Sequence, residues 1–470
     1  MNADQSIYRC ARLTLQAQSA HGVQSGRGDS THDVLLVRDV NGLPALPGSS
    51  LAGVLRHAYS QAFGNEAADR LFGAFGNEGG MSSVSIGWAF IHDAENKAVE
   101  GLRQGIVDDA LLGYLTREKP IIRQRVRLNH RGAGADGGKF DTTWVPAGAR
   151  YTSLIGYWCD GTSESEMQWQ RLLELISSHD LRLGHGTRAG AGQFSVQHFS
   201  YTSWDLRTPE GKSGYLKRAR TRNAVLANIQ SARKDASLQV SLSLKAESGW
   251  RIGGGEISLR SEHEGNRTPD LLPQHELSIC WDNDKGKLAQ QRHLLPGTAI
   301  KGALRHRVAF HYRCLQGEFS NTLPVDRFDA ENCPAVTALF GSSSGDEGFG
   351  GLLYFEDVQI SDAKLKTLMH NRIDRFTGGV MDGALFSEEV LWQTPINVRI
   401  RVSAGTQKDE IDQATRKALA LTLDDLNRGW LPLGASGSRG LGVFTGTGDG
   451  PVWSDGGKWI SDSGSQESVR

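Results

Sequence analysis

Two stretches of this 470-residue chain set backbone amides, small residues and a guanidinium in the same order: LPALPGSSLAGVLRHAY from Leu43 and LLPGTAIKGALRHRVAF from Leu294. A Pro-Gly-Ser/Thr turn that opens a helix leaves the first N–H groups without intrahelical acceptors. It also presents the positive end of the helix dipole, and its glycine lets a ligand come close. Gly48, Ser49 and Ser50 in one stretch, and Gly297 and Thr298 in the other, are therefore candidate phosphate contacts. One turn on, Arg56 and Arg305 share a slot, and Lys301 adds a cation to the second stretch. Ser49, Ser50 and Thr298 stand where an N-cap hydroxyl belongs, so a plain cap on a packed helix is the competing interpretation.

A second pair of motifs is LGHGTRAGAGQF from Leu183 and LGASGSRGLGVF from Leu433. They look like dinucleotide fingerprints but follow a helix and open a strand, the reverse of what that site needs. An amide-rich loop carrying Arg188 and Gly190, or Arg439 and Gly440, suits a backbone contact on a nucleic acid; a tight β-turn is the alternative.

The elements that must position these motifs are also doubled. Leu13–Ala17 and Leu238–Ala246 alternate apolar and polar residues, the period of a half-buried strand. Leu51, Val54, Leu55, Ala58 and Ala62, and then Ile300, Ala303, Leu304 and Val308, carry helical spacing. Each copy continues through LFG (Leu71–Gly73, Leu339–Gly341), an apolar strand and a second helical pattern before its glycine loop. This order predicts an α+β chain of two tandem ferredoxin-like domains with inserted hairpins and glycine-rich loops. The first spans 1–200 and the second 236–447. A basic linker is expected at 201–235 and a disordered Ser/Gly-rich tail at 448–470, although Trp453 and Trp459 could dock.

Lys and Arg number 52 against 53 Asp and Glu, so any polyanion site must be local rather than a global field. Five cysteines without C-x-x-C spacing support neither a disulfide frame nor a zinc knuckle. No signal-like or membrane-spanning apolar run occurs, which predicts a cytoplasmic protein with no membrane partner. Glycine, at 57 residues, exceeds the roughly 33 that a usual ~7% would give, so many positions need close approach or positive φ.

The paired helix and loop motifs resemble the RAMP superfamily of CRISPR systems, over about nine tenths of the chain. RIDRFTGGVMDGALFSEEV, from Arg372 to Val390, is similar to the IDR-x-TG…G-x-LF…E segment of type III effector backbone subunits, and RLNHRGAGADGGKF from Arg127 is a weaker version. Two such domains in one chain resemble a type III-D-like, fused Csm3-like subunit of prokaryotes. The resemblance implies partners: a guide (CRISPR) RNA, a single-stranded target RNA and other CRISPR effector subunits. It implies that Arg375, in the matching segment, is an RNA-binding residue, and that a protruding hairpin displaces a base at regular intervals. It also implies endoribonuclease chemistry by an Asp after the first strand, six residues before the acidic residue of a following strand.

Asp33 holds that place before Asp39, and Glu276 holds it before Asp282, so the second copy departs from Asp. RNA carries its own 2′-hydroxyl nucleophile, so one carboxylate with Mg2+ or another divalent cation can serve, Asp33 being the metal ligand or base. His32 is a lesser acid–base candidate, and Asp29 the nearest competitor to Asp33. A non-catalytic RNA-binding scaffold and a guide-processing endoribonuclease are the rival functions.

Overall fold

The computed structural model describes residues 5–24, 35–74, 80–129, 134–178, 181–224, 226–229, 237–260, 268–319, 332–342, 348–403 and 408–461. Copy one contains β1 (Ile7–Ala17), α1 (Gly48–Phe63), α2 (Asn65–Phe72), β2 (Val84–Ile86), the hairpin β3 (Ile121–Leu128) and β4 (Gly134–Trp144), β5 (Arg150–Cys159), α3 (Ser163–Ser178) and β6 (Gln193–Asp205). The core strands run β6-β1-β5-β2, all antiparallel, with α1 and α3 supplying the helices. That is the order of a ferredoxin-like sheet. β1 is central, and Ala11, Leu13, Leu15 and Ala17 are buried. Leu51, Leu55, Ala58 and Tyr59 form the buried stripe of α1, each large one contributing roughly 1.5–3 kcal/mol of transfer free energy.

Copy two repeats the plan with β7 (Gln239–Ala246), the hairpin β8 (Ile279–Asp282) and β9 (Lys285–Leu288), α5 (Gly297–Gln316), β10 (Leu353–Phe355), the hairpin β11 (Leu365–His370) and β12 (Phe386–Trp392), β13 (Pro395–Val402), α6 (Gln413–Asn427) and β14 (Phe444–Gly446); α4 belongs to the segment between the copies, below. Its core order is β14-β7-β13-β10, the same as in copy one. The LFG glycines have one cause in both copies. Gly73 and Gly341 take positive φ, and a Cβ on either would strike backbone atoms within 3 Å.

Two boundary expectations are corrected. The stretch expected as a linker continues the copy-one fold. β6 runs to Asp205, α4 (Pro209–Lys217) is capped by Thr208, and Asn228–Ile229 pairs with β6. The reason is aromatic. Tyr215 lies edge-on to Tyr8, 5.2 Å between centroids, and also meets Trp158 and Trp204, while Arg218 covers its ring at 3.6 Å. Several of the basic residues are thus already engaged, Arg207 with Asp205 and Arg222 with Glu100.

The tail is ordered through Ser461. β15 (Val452–Trp453) pairs with β7, and Trp459 of α7 (Lys458–Ser461) is buried, its indole N–H donating to the Lys408 carbonyl at 3.0 Å. Among the described residues, no helix is long and apolar enough to cross a membrane.

The hairpin β8–β9 of copy two does not pack on its own domain. Ile279 sits within the copy-one core, its N–H donating to Ala147, and Trp281 donates to the Gly148 carbonyl at 2.7 Å under the Arg150 guanidinium. Gly148 is required there, because a Cβ would fall 1.9 Å from the Ile279 oxygen.

Candidate nucleic-acid interface

Both helices start two residues earlier than capping by Ser49 or Thr298 implies. Pro47 and Pro296 are the N-caps, without side-chain capping bonds, and Gly48 and Gly297 are the first helical residues. Ser49, Ser50 and Thr298 therefore lie inside the first turn. Proline at the cap leaves the amides to find acceptors elsewhere, and the two copies solve this differently.

In copy two the Gly297 N–H donates to the Asp357 carboxylate at 2.7 Å, an acid at the positive end of a helix. The copy-one glycine loop closes over this point. A Cβ on Gly190, at φ 99°, would fall 1.9 Å from Asp357 and 3.0 Å from the Gly297 nitrogen. Gly297 is thus not a free amide. In copy one, Gly48 is buried against the Ile86 carbonyl, and Ser49 is exposed. The pairing of β2 with β5 and of β10 with β13 sets Gly87 and Trp88 where copy two has Glu356 and Asp357. Among the described residues no carboxylate accepts from the first amides of α1, and Trp88 is 42% exposed.

Between the copies lies a buried ionic seam. Arg123 of β3 donates from Nε and Nη2 to Glu276 at 2.5 and 2.8 Å, and from Nη2 to Asp357 at 2.6 Å. All three side chains are nearly water-free, at 2%, 6% and 6% exposure. Burial pushes the Asp357 carboxyl up, opposed by Arg123. Glu276 is consequently not the solvent-facing loop carboxylate expected of a copy-two nuclease. Its charge is already spoken for.

Arg188 also belongs to the seam. It donates to the Gly351 carbonyl at 2.5 Å and covers the Tyr354 ring at 4.9 Å. Beside it, Lys301 is pushed down to about 8 by burial, then by the positive fields of Arg305 and Arg188. The fold thus brings together three of the expected cations, drawn from both copies. No ion pair to Lys301 occurs among the described residues. Arg56 goes elsewhere: it donates to the Gly73 carbonyl at 2.7 Å and pairs with Asp69, tying α1 to α2.

The copy-two loop is open where the copy-one loop is closed. Arg439 and Gly440 are exposed, and a Cβ on Gly440 would meet nothing within 4 Å. Arg375 lies at the exposed tip joining β11 to β12. There the Asp374 carboxylate accepts from the N–H groups of Phe376 and Thr377, and Phe376 is 99% exposed. Sequence reasoning singled out the segment but not Phe376. An aromatic between two turn-forming polar residues was the available signal.

Asp33, His32 and Asp29 lie outside the described residues. Their flanks do not: Gln24 bridges Leu36, and Val37 donates to Val23 at 2.8 Å, beside the glycine loop, where the His185 N–H donates to Gly22. Among the described residues no group of three His, Cys, Asp or Glu side chains could hold a metal ion.

A family model of the RAMP superfamily matches residues 15–195 and 243–445. A chain of the type III-B Cmr-beta cryo-EM structure of the apo state is similar at 13% identity and TM-score 0.32, over 40% of this chain and 96% of that one. At that score the likeness carries no argument. No match was found among curated proteins. The family match spans both ferredoxin-like units, including each helix start and each glycine loop: the chain belongs to the RAMP superfamily.

Proposed function

We propose that this protein is the double backbone subunit of a type III CRISPR effector, binding guide RNA, holding target RNA against it and cutting the target from copy one alone. The observation that carries this reading is the convergence of Arg188, Lys301 and Arg305 at the seam, with Lys301 desolvated among like charges. A lysine desolvated among like charges, with no ion pair among the described residues, is costly in an isolated chain and favours a polyanion. The two open ends support further subunits: the exposed copy-two loop and the unclosed start of α1 are the two halves of the contact that Gly190 and Gly297 make internally.

Cleavage is assigned to Asp33, and it rests on the resemblance together with the fate of Glu276. A divalent cation there would stabilise charge developing on the scissile phosphate, with Asp33 as the protein carboxylate. Copy two has no such role, because Glu276 is held by Arg123 and its following hairpin is built into copy one. In the reconstituted complex, Asp33→Ala is expected to abolish cleavage of guide-complementary RNA with assembly intact, whereas Glu276→Gln leaves the product lengths unchanged. Undiminished cleavage by Asp33→Ala removes the nuclease assignment and leaves the non-catalytic scaffold.

A further inference from the structure

The inward face of the β3–β4 hairpin collects hydrogen-bond donors without an acceptor among the described residues. Arg125 Nε and Nη2, Arg123 Nη1 and Trp144 Nε1 are all buried without a partner. The four belong to one cluster: the Arg125 and Arg123 guanidinium carbons lie 5.1 and 5.7 Å from the centre of the Trp144 ring. On that ring also stacks His185 of the glycine loop, 5.6 Å away at 30°. Buried donors are ordinarily satisfied, so a cluster of orphans on a charged group indicates a missing acceptor.

This cluster is not a property of the repeated fold. The hairpin registers set Arg125 opposite Phe140 and His370 opposite Phe386, so His370 stands in the Arg125 position, Leu368 in that of Arg123 and Val390 in that of Trp144. Copy two sets an acid in that space: the buried Glu388 carboxylate accepts from Arg251 at 3.0 Å through one oxygen, and its other oxygen lies 2.7 Å from His370 Nε2, a charge contact in which neither atom makes a hydrogen bond. Copy one has two arginines there, and the acids at hand, Glu276 and Asp357, are both bonded to Arg123. Arg125 remains partly exposed and His185 exposed, which gives the cluster a side open to solvent.

We infer that Arg125, with Arg123 Nη1, Trp144 Nε1 and the His185 edge, forms a phosphate pocket unique to copy one, and that its occupant is a phosphodiester of bound RNA. The inference rests on the RNA-binding reading above. A guanidinium offering two N–H groups beside a ring donor matches a tetrahedral oxyanion. Burial, then repulsion from Arg123, pushes Arg125 down to about 10, as expected of a cation without its counter-charge.

The test uses the full chain and the variants Arg125→Met and Arg125→Lys, with single-stranded RNA binding and thermal unfolding both measured. Arg125→Met is expected to weaken RNA binding by roughly tenfold or more, since charge-assisted bonds are lost, while its Tm equals or exceeds the wild-type value, because an unpaired buried charge has been removed. Arg125→Lys should recover part of the affinity. RNA affinity unchanged in Arg125→Met overturns the pocket and leaves the RNA reading standing. A fall in Tm, with Arg125→Lys restoring Tm but not affinity, makes Arg125 structural and also overturns it.

Inorganic phosphate at fixed ionic strength separates the sources. A phosphate-dependent rise in wild-type Tm that Arg125→Met lacks supports the pocket even if the chain binds no RNA, in which case the RNA occupant is wrong. No response to either phosphate or RNA means that water alone satisfies these donors, and the pocket falls.

Discussion

Gly190 and Gly440 occupy the same place in two copies of one loop, yet one is pressed against a carboxylate and a helix start, and the other faces open space. The same division holds for the helices they could meet. α5 is closed by Asp357 and Gly190, whereas Gly87 and Trp88 stand at the corresponding place beside α1, with no acid on its first amides among the described residues. One loop and one helix start of the doubled motifs thus meet inside the chain, and the corresponding copy-two loop is left open. A motif that reads twice in sequence need not do the same work twice.

The largest test of this contrast is the seam. Arg123→Ala leaves Glu276 and Asp357 buried without a counter-charge, and is expected to cost about 3–5 kcal/mol. Urea unfolding followed by tryptophan fluorescence would show it as a lowered midpoint, whereas Arg375→Ala, at an exposed tip, should leave the midpoint in place. An unchanged midpoint for Arg123→Ala would mean that the seam opens in solution.

The glycine pair gives a smaller and more direct comparison. Both positions have positive φ, which costs a non-glycine residue about 1–2 kcal/mol. Gly190→Ala adds overpacking against Asp357, about 1–3 kcal/mol more. Its Tm should fall well below that of Gly440→Ala; equal losses would break the closed-versus-open distinction.

Acid sharpens the difference least per step. Burial pushes His21 down to about 3, and His92 of copy one and His293 of copy two down to about 4, from an ordinary 6.5. Each is held neutral in the folded chain, so the unfolded chain binds more protons below pH 6.5. Stability is therefore lost as pH falls from 6.5 toward 4, at up to about 1.4 kcal/mol per unit for each histidine. With two of the three, copy one should lose amide protection first in hydrogen exchange between pH 7 and 5.

The duplicated plan was legible because it rests on local periodicity: the alternation of Leu238–Ala246 and the i, i+3, i+4 spacing from Leu51 become strand and helix as read. The glycine loops were legible because positive φ restricts composition. The caps lie two residues before Ser49 and Thr298, since Pro47 and Pro296 serve where a hydroxyl was expected. What could not be read is every contact between distant residues. Nothing near Arg123 announces Glu276, 153 positions away, and ELSICWD reads as a strand without saying which domain it enters. Arg56 looked like a phosphate ligand because its acid, Asp69, belongs to the next helix.

The insertion of Ile279 and Trp281 into the other copy's core has a consequence for synthesis. A chain emerging from the ribosome cannot finish its first half until residue 288 is free, so that half waits with an unfilled slot at Gly148. Contacts of such sequence separation form slowly. The amino-terminal half is thus the part most in need of chaperone cover, and it cannot be separated from the second half by simple truncation without leaving that slot empty.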